Sequence, residues 1–417
     1  MAQPRLTPLQ LADAVAFRAA YPTAQEAADA LGIPVQTLNG RLRRAKAAKL
    51  ISNDAPKVEP RSIPDRRATA LADENRALKE ALKAAQRELI EAEGIKTLFE
   101  TVGDKPRSMP SWLVNPPEPK RKSAATPEVP VAMWADWHLG ETVNREEVNG
   151  VNEYSLTIAE RRVQRLVEGT VNLCRNHHTG NYPGAVVCLT GDFVSGGLHP
   201  ELLKTDEEEI LPSTLRALDL ITGGLKRLAD VFGQLYVPAV AGNHGRNTAK
   251  PEFKRYIFKN FDWLIYKLLA REFADDPRVH IDVRPSNDVH FRVYHDRYLL
   301  MHGDMLGVRG GDGIIGAIGP IMRGEVKKSG QSSAIGLEFD KLLIGHWHQG
   351  LWLPRATVAN TLKGFDEYAR LQLGAKPTRP SQPLWFVHPK RGETAQWPIY
   401  VDEPMKAATT WVSWRNA

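Results

Sequence analysis

Cysteine is nearly absent from this 417-residue chain, with Cys174 and Cys188 the only two. Two thiols cannot build a disulfide framework, and neither sits in a CxxC pair, so both are expected as buried thiols in a reducing cytoplasm. No apolar run approaches the roughly 20 residues of a membrane span, and no basic-then-apolar leader follows Met1. A soluble cytoplasmic protein is the expectation. Internal repeats are missing too, which excludes a solenoid or propeller. What is present is ordinary globular composition, 42% hydrophobic and 25% charged. The length exceeds one hydrophobic core and calls for two or three units.

The net charge of +6 is not spread evenly. Residues 1–130 carry 21 basic against 16 acidic side chains, whereas the remainder carries 34 against 33. Within the basic part, Arg41, Arg43, Arg44, Lys46 and Lys49 are close enough to form one stripe. From Thr23 the chain reads as a short alanine-rich helix, a Gly32-Ile33-Pro34 break and a second helix from about Val35. Ala27, Ala28 and Leu31 would be buried by the first helix, and Leu38 and Leu42 by the second. That leaves Gln36, Thr37, Asn39 and Arg41 facing outward. The layout resembles bacterial and phage helix-turn-helix modules. The resemblance implies that residues 1–50 bind DNA through Gln36, Thr37, Asn39, Arg41, Arg43, Arg44 and Lys46.

Residues 51–68 lack hydrophobic periodicity and read as a linker. Over 69–102, Leu71, Asn75, Leu78, Leu82, Ala85, Leu89 and Ala92 alternate at four- and three-residue spacing. This is a coiled-coil seam of about three heptads, expected to make a homodimer or higher oligomer through residues 71–92, with Asn75 fixing the register. Seven prolines mark 103–130 as a second linker.

Beyond it, the short apolar runs VAMWA, AVVCLT, LYVPAVA, YLLM and KLLI alternate with amphipathic patterns such as 155–175 and 252–273. A layered α/β domain over 131–402 follows, with a mixed sheet or two packed sheets and a tail at 403–417. Each run ends in potential metal ligands: Asp136-Trp137-His138, Gly191-Asp192, Gly242-Asn243-His244, His302-Gly303-Asp304 and Gly345-His346-Trp347-His348. Open α/β sheets place their sites beyond the carboxyl ends of strands, so the five endings should meet in one cleft. In extended chain, residues i and i+2 share a side, which pairs Asp136 with His138 and His346 with His348, each pair gripping one ion.

This ordered set, D-x-H, G-D, G-N-H, H and G-H-x-H over about 215 residues, resembles the calcineurin-like metallophosphoesterase superfamily. The resemblance implies its layered α/β/β/α fold and two divalent cations, Mn favoured and Fe or Zn compatible. Asp136, His138, Asp192 and His348 would hold one ion, and Asp192, Asn243, His302 and His346 the other, with Asp192 as bridge. His244 would be the general acid. His177, His178, His199, His280, His290, His295 and His388 fall outside the motifs and read as hydrogen-bonded core residues.

The first motif, ADWHLGE, is similar to the nuclease subunit of bacterial double-strand-break repair exonucleases, while GDFVSGG lacks the arginine usual in protein phosphatases. The chain as a whole looks similar to metallophosphoesterases of tailed phages, whose setting would be the host cytoplasm. A DNA nuclease is the leading expectation. A phosphatase or phosphodiesterase for nucleotides, and a DNA-binding regulator with a non-catalytic phosphoesterase domain, remain as alternatives. Only 69 residues follow His348. They read as closing strands, which gives no ground for an ATPase partner. Ser195 and Gly245 depart from the family pattern, and because Gly245 cannot orient His244, Asp304 is a candidate for that role. Arg246, Arg309, Arg323, Lys327 and Lys328 could track a nucleic-acid backbone or be merely solvated. The glycine-rich stretch 307–319 reads as a mobile loop over the cleft.

Overall fold

The computed structural model describes residues 7–48, 75–76, 78–79, 127–178, 181–196, 202–248, 250–307, 316, 318–371, 376–408 and 412. The chain divides into two compact units, 1–97 and 98–417.

In the first unit, α1 (Pro8–Ala20), α2 (Ala24–Ala30) and α3 (Val35–Ala47) enclose a small core of Ala14, Ala27, Ala28 and Leu38. Leu31, Ile33, Val35 and Leu42 pack against it half-buried. Capping boxes start two of the helices: Thr7 with Gln10 and Thr23 with Glu26 exchange side-chain and backbone hydrogen bonds. Gly32, at φ +64°, turns the chain between α2 and α3. Helix α1 precedes the two helices expected from Thr23 onward, although its Thr7-Pro8-Leu9-Gln10 start carries the signature of a helix N-terminus. Of the expected coiled-coil seam, Asn75 and Leu78 are helical and Leu78 is 61% exposed. Leu71, Leu82, Ala85, Leu89 and Ala92 lie outside the described residues.

The second unit is a mixed α/β structure built on two mixed sheets. One sheet runs β11-β10-β1-β2-β3-β4, from β1 (Val129–Trp134), β2 (Ala185–Leu189), β3 (Leu235–Ala239), β4 (Val279–Val283), β10 (Ser381–His388) and β11 (Gly392–Tyr400). The other runs β5-β6-β7-β9-β8, from β5 (Asp288–Val293), β6 (Asp296–Met301), β7 (Lys341–Ile344), β8 (Leu351–Leu353) and β9 (Ala356–Val358). Strand β1 begins at Val129, so the proline-rich linker ends two residues earlier than its composition suggests. At the other end Glu403 still meets Arg165 at 2.6 Å, so the domain reaches past 402.

Alternation along the strands sorts the side chains into layers. Leu300 and Leu343 point inward with Val131, Met133, Val186, Cys188, Val289 and Trp385, forming the core between the sheets. Their neighbours Leu299, Met301, Leu342 and Ile344 point outward to Ile321 on α7 (Ile318–Ser333). On the far face of the first sheet lie α4 (Leu156–Asn172), α5 (Ile210–Phe232) and α6 (Phe261–Glu272), α5 packing on β3 and α6 on β4. The amphipathic stretch 252–273 is helical only in part. Its α-helix starts at Phe261, capped by Asn260, after a single 3-10 turn at Tyr256–Lys259. Both cysteines are buried and unbridged, and burial pushes the Cys174 thiol up to about 12. No helix among the described residues is long and apolar enough to cross a membrane.

Strands β1, β2 and β3 are mutually parallel, as are β6 and β7. Their carboxyl ends therefore deliver all five motifs to one rim. Leu300→Ala should lower the stability of this unit by about 2 to 5 kcal/mol, because a fully buried side chain leaves a cavity between the sheets. Urea unfolding followed by tryptophan fluorescence checks this.

Candidate metal centre

Three groups of ligand atoms form at that rim, each with its members within 4.8 Å of one another: Asp136, His138 and His348; His138, Asp192 and His244; Asp192, His302 and His346. All six of the carboxylate and imidazole ligands singled out in the motifs are thus brought together, and His244 joins them. Asn243 belongs with the last group, its Oδ1 lying 3.2 Å from His302 Nε2. None of the non-motif histidines among the described residues enters a group. His178, for example, is spent on an ion pair with Glu128 at 2.8 Å and a stack on Phe386, while His199 lies outside the described residues.

The pairing by extended chain needs correction. Asp136 and His138 do serve one group, but His346 and His348 are divided between two. Neither segment is extended, so the strand rule for i and i+2 applies to neither pair: Asp136, His138, Asp192, His346 and His348 all adopt left-handed φ values between 51° and 66°. Each such residue costs roughly 1 to 2 kcal/mol in isolation, so the surrounding contacts must hold it.

Those contacts can be named. The fully buried carboxylate of Asp262, in the first turn of α6, accepts hydrogen bonds from the backbone N–H of Asp192 (2.9 Å), Phe193 (3.2 Å) and Gly242 (2.9 Å). It clamps the second and third motifs together. Burial, then the charge of Asp192, push its pKa up to about 6 against those three donors. Asp136 similarly accepts from His346 N–H at 3.0 Å, while its own carbonyl accepts from Thr361 Oγ1 at 2.9 Å and Leu362 N at 3.1 Å. The approach is close enough that a Cβ at Gly242 would lie 2.1 Å from Asp192 Oδ1, and one at Gly345 2.4 Å from Asp136 Oδ2.

The donor set fits a cation on its own chemistry. His302 Nδ1 lies 2.8 Å from the Thr190 carbonyl and donates to it, which turns Nε2 toward Asp192 Oδ2 at 2.9 Å. Asp192 Oδ2 is buried and has no hydrogen-bond donor of adequate geometry. His302 Nε2, a carboxylate oxygen and the Asn243 amide oxygen therefore converge, a donor set that suits a divalent cation. Against the effect of burial, the charge of Asp192 pushes His302 up to about 10, so in the free protein a proton on Nε2 stands where a cation would. Conversely, burial followed by the charge of His302 brings His346 down to about 4, and burial with Lys363 and other cationic neighbours depresses His138, leaving both as neutral imidazoles able to ligate. His138 Nε2 and His348 Nε2 lie 3.0 Å apart, with Asp136 Oδ1 3.4 Å from the latter.

His244 is oriented by a group the sequence did not suggest. Its Nδ1 donates to the Ser195 carbonyl at 2.7 Å, and its backbone N–H donates to Asp192 Oδ1 at 2.7 Å. Asp304 does not perform that role, because it accepts from Tyr256 Oη at 3.0 Å. A backbone carbonyl replaces the missing carboxylate, and a Cβ at Gly245 would sit 2.6 Å from Asn260 Oδ1. Burial lowers the His244 pKa in spite of the opposing Asp192 charge, so the free protein holds it neutral near pH 7.

A second set of residues escaped the sequence reading entirely. Glu141 Oε2 lies 3.6 Å from His138 Nδ1, and both atoms are buried without a hydrogen-bond partner. Fully buried Lys363 bonds the other oxygen of Glu141 at 2.7 Å and Asp366 at 2.5 Å. Glu141 stands inside the ADWHLGE string, but Lys363 and Asp366 are more than 220 residues away, and no spacing links them. The first motif is thus supported by a carboxylate behind its imidazole, which is how metal-binding histidines are aligned.

The seven residues expected to touch DNA lie on or beside α3. Gln36, Thr37, Asn39, Arg43, Arg44 and Lys46 are exposed, whereas Arg41 is half-buried with its Nε shielded from solvent. Lys49 and Arg309 lie outside the described residues, as does most of the glycine-rich stretch at 307–319.

Three outcomes follow from this geometry. Glu141→Gln should weaken Mn binding about tenfold or more in titration calorimetry. Asp262→Ala leaves three buried N–H groups without an acceptor, at about 1 to 3 kcal/mol each, and should lower the urea midpoint sharply. Asp206, which accepts from Ser195 Oγ at 3.1 Å, is pushed up to about 7, chiefly by burial. A carboxyl raised in the folded state binds protons more tightly there, so its ionisation reduces stability as pH rises from about 4 to 7. Asp206→Asn should accordingly raise the urea midpoint at pH 7 more than at pH 4.

No protein-family model matches the chain, and no curated protein matches it either, so its chemistry has to be read from its own residues.

Proposed function

We propose that the second unit is a metal-dependent phosphoester hydrolase of the calcineurin-like type, acting on phosphodiester bonds in DNA. The observation that carries this reading is Asp192, a buried carboxylate shared by two groups of potential ligands, with His138 and His244 in one and His302 and His346 in the other. Asp136, His138, Asp192 and His348 would hold one divalent cation, and Asp192, Asn243, His302 and His346 a second. The mixture of oxygen and imidazole donors suits Mn, with Fe or Zn compatible. When bound, such a pair neutralises phosphate charge and makes water a competent nucleophile near neutral pH.

The chain's own groups then set orientation and proton supply. Because His244 Nδ1 is committed to the Ser195 carbonyl, Nε2 is the nitrogen left to carry a proton to the departing alkoxide. Its ring centroid is 4.5 Å from that of His138, beside the first ligand group. Burial keeps the imidazole neutral until an anionic phosphate arrives to favour the protonated form. Asp192 holds the His244 backbone in register with the shared carboxylate.

A nuclease is favoured over a small-ester phosphatase by two features. The second motif has no arginine to clamp a terminal phosphoryl group, and the first unit exposes Gln36, Thr37, Asn39, Arg43, Arg44 and Lys46 on one helical segment. In this reading that segment holds DNA and raises its local concentration for the hydrolase. Association through residues 71–92 would double the number of such contacts. Unbridged thiols fit work in a reducing cytoplasm, that of a host cell if the chain is phage-encoded.

With Mn, the purified chain is expected to cleave plasmid or single-stranded DNA, and EDTA is expected to stop it. Asp192→Ala should reduce turnover at least a thousandfold while leaving DNA binding in place. Cleavage of p-nitrophenyl phosphate or a cyclic nucleotide but no DNA would contradict the substrate assignment. Activity surviving Asp192→Ala would contradict the metal centre itself.

A further inference from the structure

The chain leaves the third motif at Gly245 and returns at Asn260, and the loop between them has an anchored base and a naked tip. At the base, Asn247 N donates to Lys259 O at 3.0 Å and Phe261 N to Gly245 O at 2.6 Å. Tyr256 and Ile257 are buried, and Tyr256 Oη reaches Asp304 beside the fourth motif. Phe258 packs edge-on against Trp263, with ring centroids 5.2 Å apart. The loop is therefore fastened to the wall of the centre that carries Asn243 and His302.

At the tip, residues 250–255 are exposed. Phe253 is 84% exposed, the highest value for any large hydrophobic side chain among the described residues. It does not complete the packing made by Phe258 and Trp263. Five cations lie in 246–259, namely Arg246, Lys250, Lys254, Arg255 and Lys259, against one carboxylate, Glu252, which Lys259 already engages. No ion pair reaches Lys250 or Lys254 among the described residues.

The acidic run Asp206 to Glu209 is tied to the first motif by Glu207 N donating to Gly140 O at 2.7 Å, and Glu208 in it is paired with Arg216. Lys250 and Lys254, which have no such partner among the described residues, give a polyanion a favourable contact on the Asn243 side. An aromatic face standing among free cations is the arrangement that holds an unpaired strand, because bases stack on the ring while the cations take phosphates.

We infer that the 250–255 tip grips a single-stranded stretch of nucleic acid beside the centre, Phe253 stacking on a base and Lys250 and Lys254 meeting the flanking phosphates. This rests on the phosphodiesterase reading for its purpose, yet strand binding can be measured without hydrolysis. It assigns the strand a side: it runs along the wall of the third and fourth motifs.

The test uses the full chain and a fluorescent 20-mer of thymidine. In EDTA, Phe253→Ala should weaken binding about tenfold, and Phe253→Trp should restore it. The double variant Lys250→Glu, Lys254→Glu should flatten the plot of log affinity against log salt by about 1.4, since each lost single-strand phosphate contact removes about 0.7. With Mn, Phe253→Ala should lower kcat/KM for the 20-mer about tenfold relative to that for bis(p-nitrophenyl) phosphate. Unchanged affinity together with an unchanged ratio overturns the inference. So does a shift in oligomeric state on sedimentation with DNA affinity intact, which would make the tip a contact between protein chains. If neither substrate is hydrolysed, the proposed function fails, and the EDTA measurements still decide the loop.

Discussion

Asp192 sits between two sets of ligands and is itself held from behind by Asp262, and the remainder of the centre depends on that arrangement. One buried carboxylate offers its oxygens forward, while a second receives its backbone N–H together with those of Phe193 and Gly242. Two anions this close repel each other, which is part of why Asp262 is pushed up to about 6. Three backbone donors offset that repulsion on one side. A cation would offset it on the other, in place of the proton on His302, and the grouping of Asp192 with His302 and His346 supplies a place for one.

The fold is arranged to make this possible. Parallel strands of two separate sheets end at one rim, and the motifs stitch the sheets together there. The Asp136 carboxylate after β1 receives His346 N–H after β7, and His302 after β6 donates to the Thr190 carbonyl after β2. Because five ligand residues take left-handed backbone conformations, the strands cannot simply continue into the cleft. Tight turns are needed, and Gly242 and Gly345 leave no room for a side chain where they meet the carboxylates of Asp192 and Asp136. Strain at the ligands is thus held in place by packing between the sheets and by buried acceptors beyond the ligands.

Much of this was legible in the amino-acid order. Five apolar runs each ending in a ligand type predicted both the parallel strands and their convergence, since chemistry and strand polarity agree on which end of the sheet is used. The groupings were less accessible. Reading Asp136-x-His138 and His346-x-His348 as extended pairs gave the wrong partition for the second, because sequence spacing carries no sign of a positive φ at non-glycine residues. The supports were not visible at all. Asp262 is one acid at a helix start, and Lys363 is one lysine in a loop; the motif partners that give them meaning lie 20 to 70 residues away for the first and 222 for the second. Gly245 illustrates the reverse case. Its departure from the expected pattern looked like a lost orienting group, yet the Ser195 carbonyl orients His244 and Asn260 fills the space beside the glycine.

What lies on either side of Asp192 decides the chemistry of the centre. Crystals grown with Mn and measured at its absorption edge should show two anomalous peaks flanking that carboxylate, one toward Asp136, His138 and His348 and one toward Asn243, His302 and His346. A single peak, or none, with the same side chains in place would contradict it.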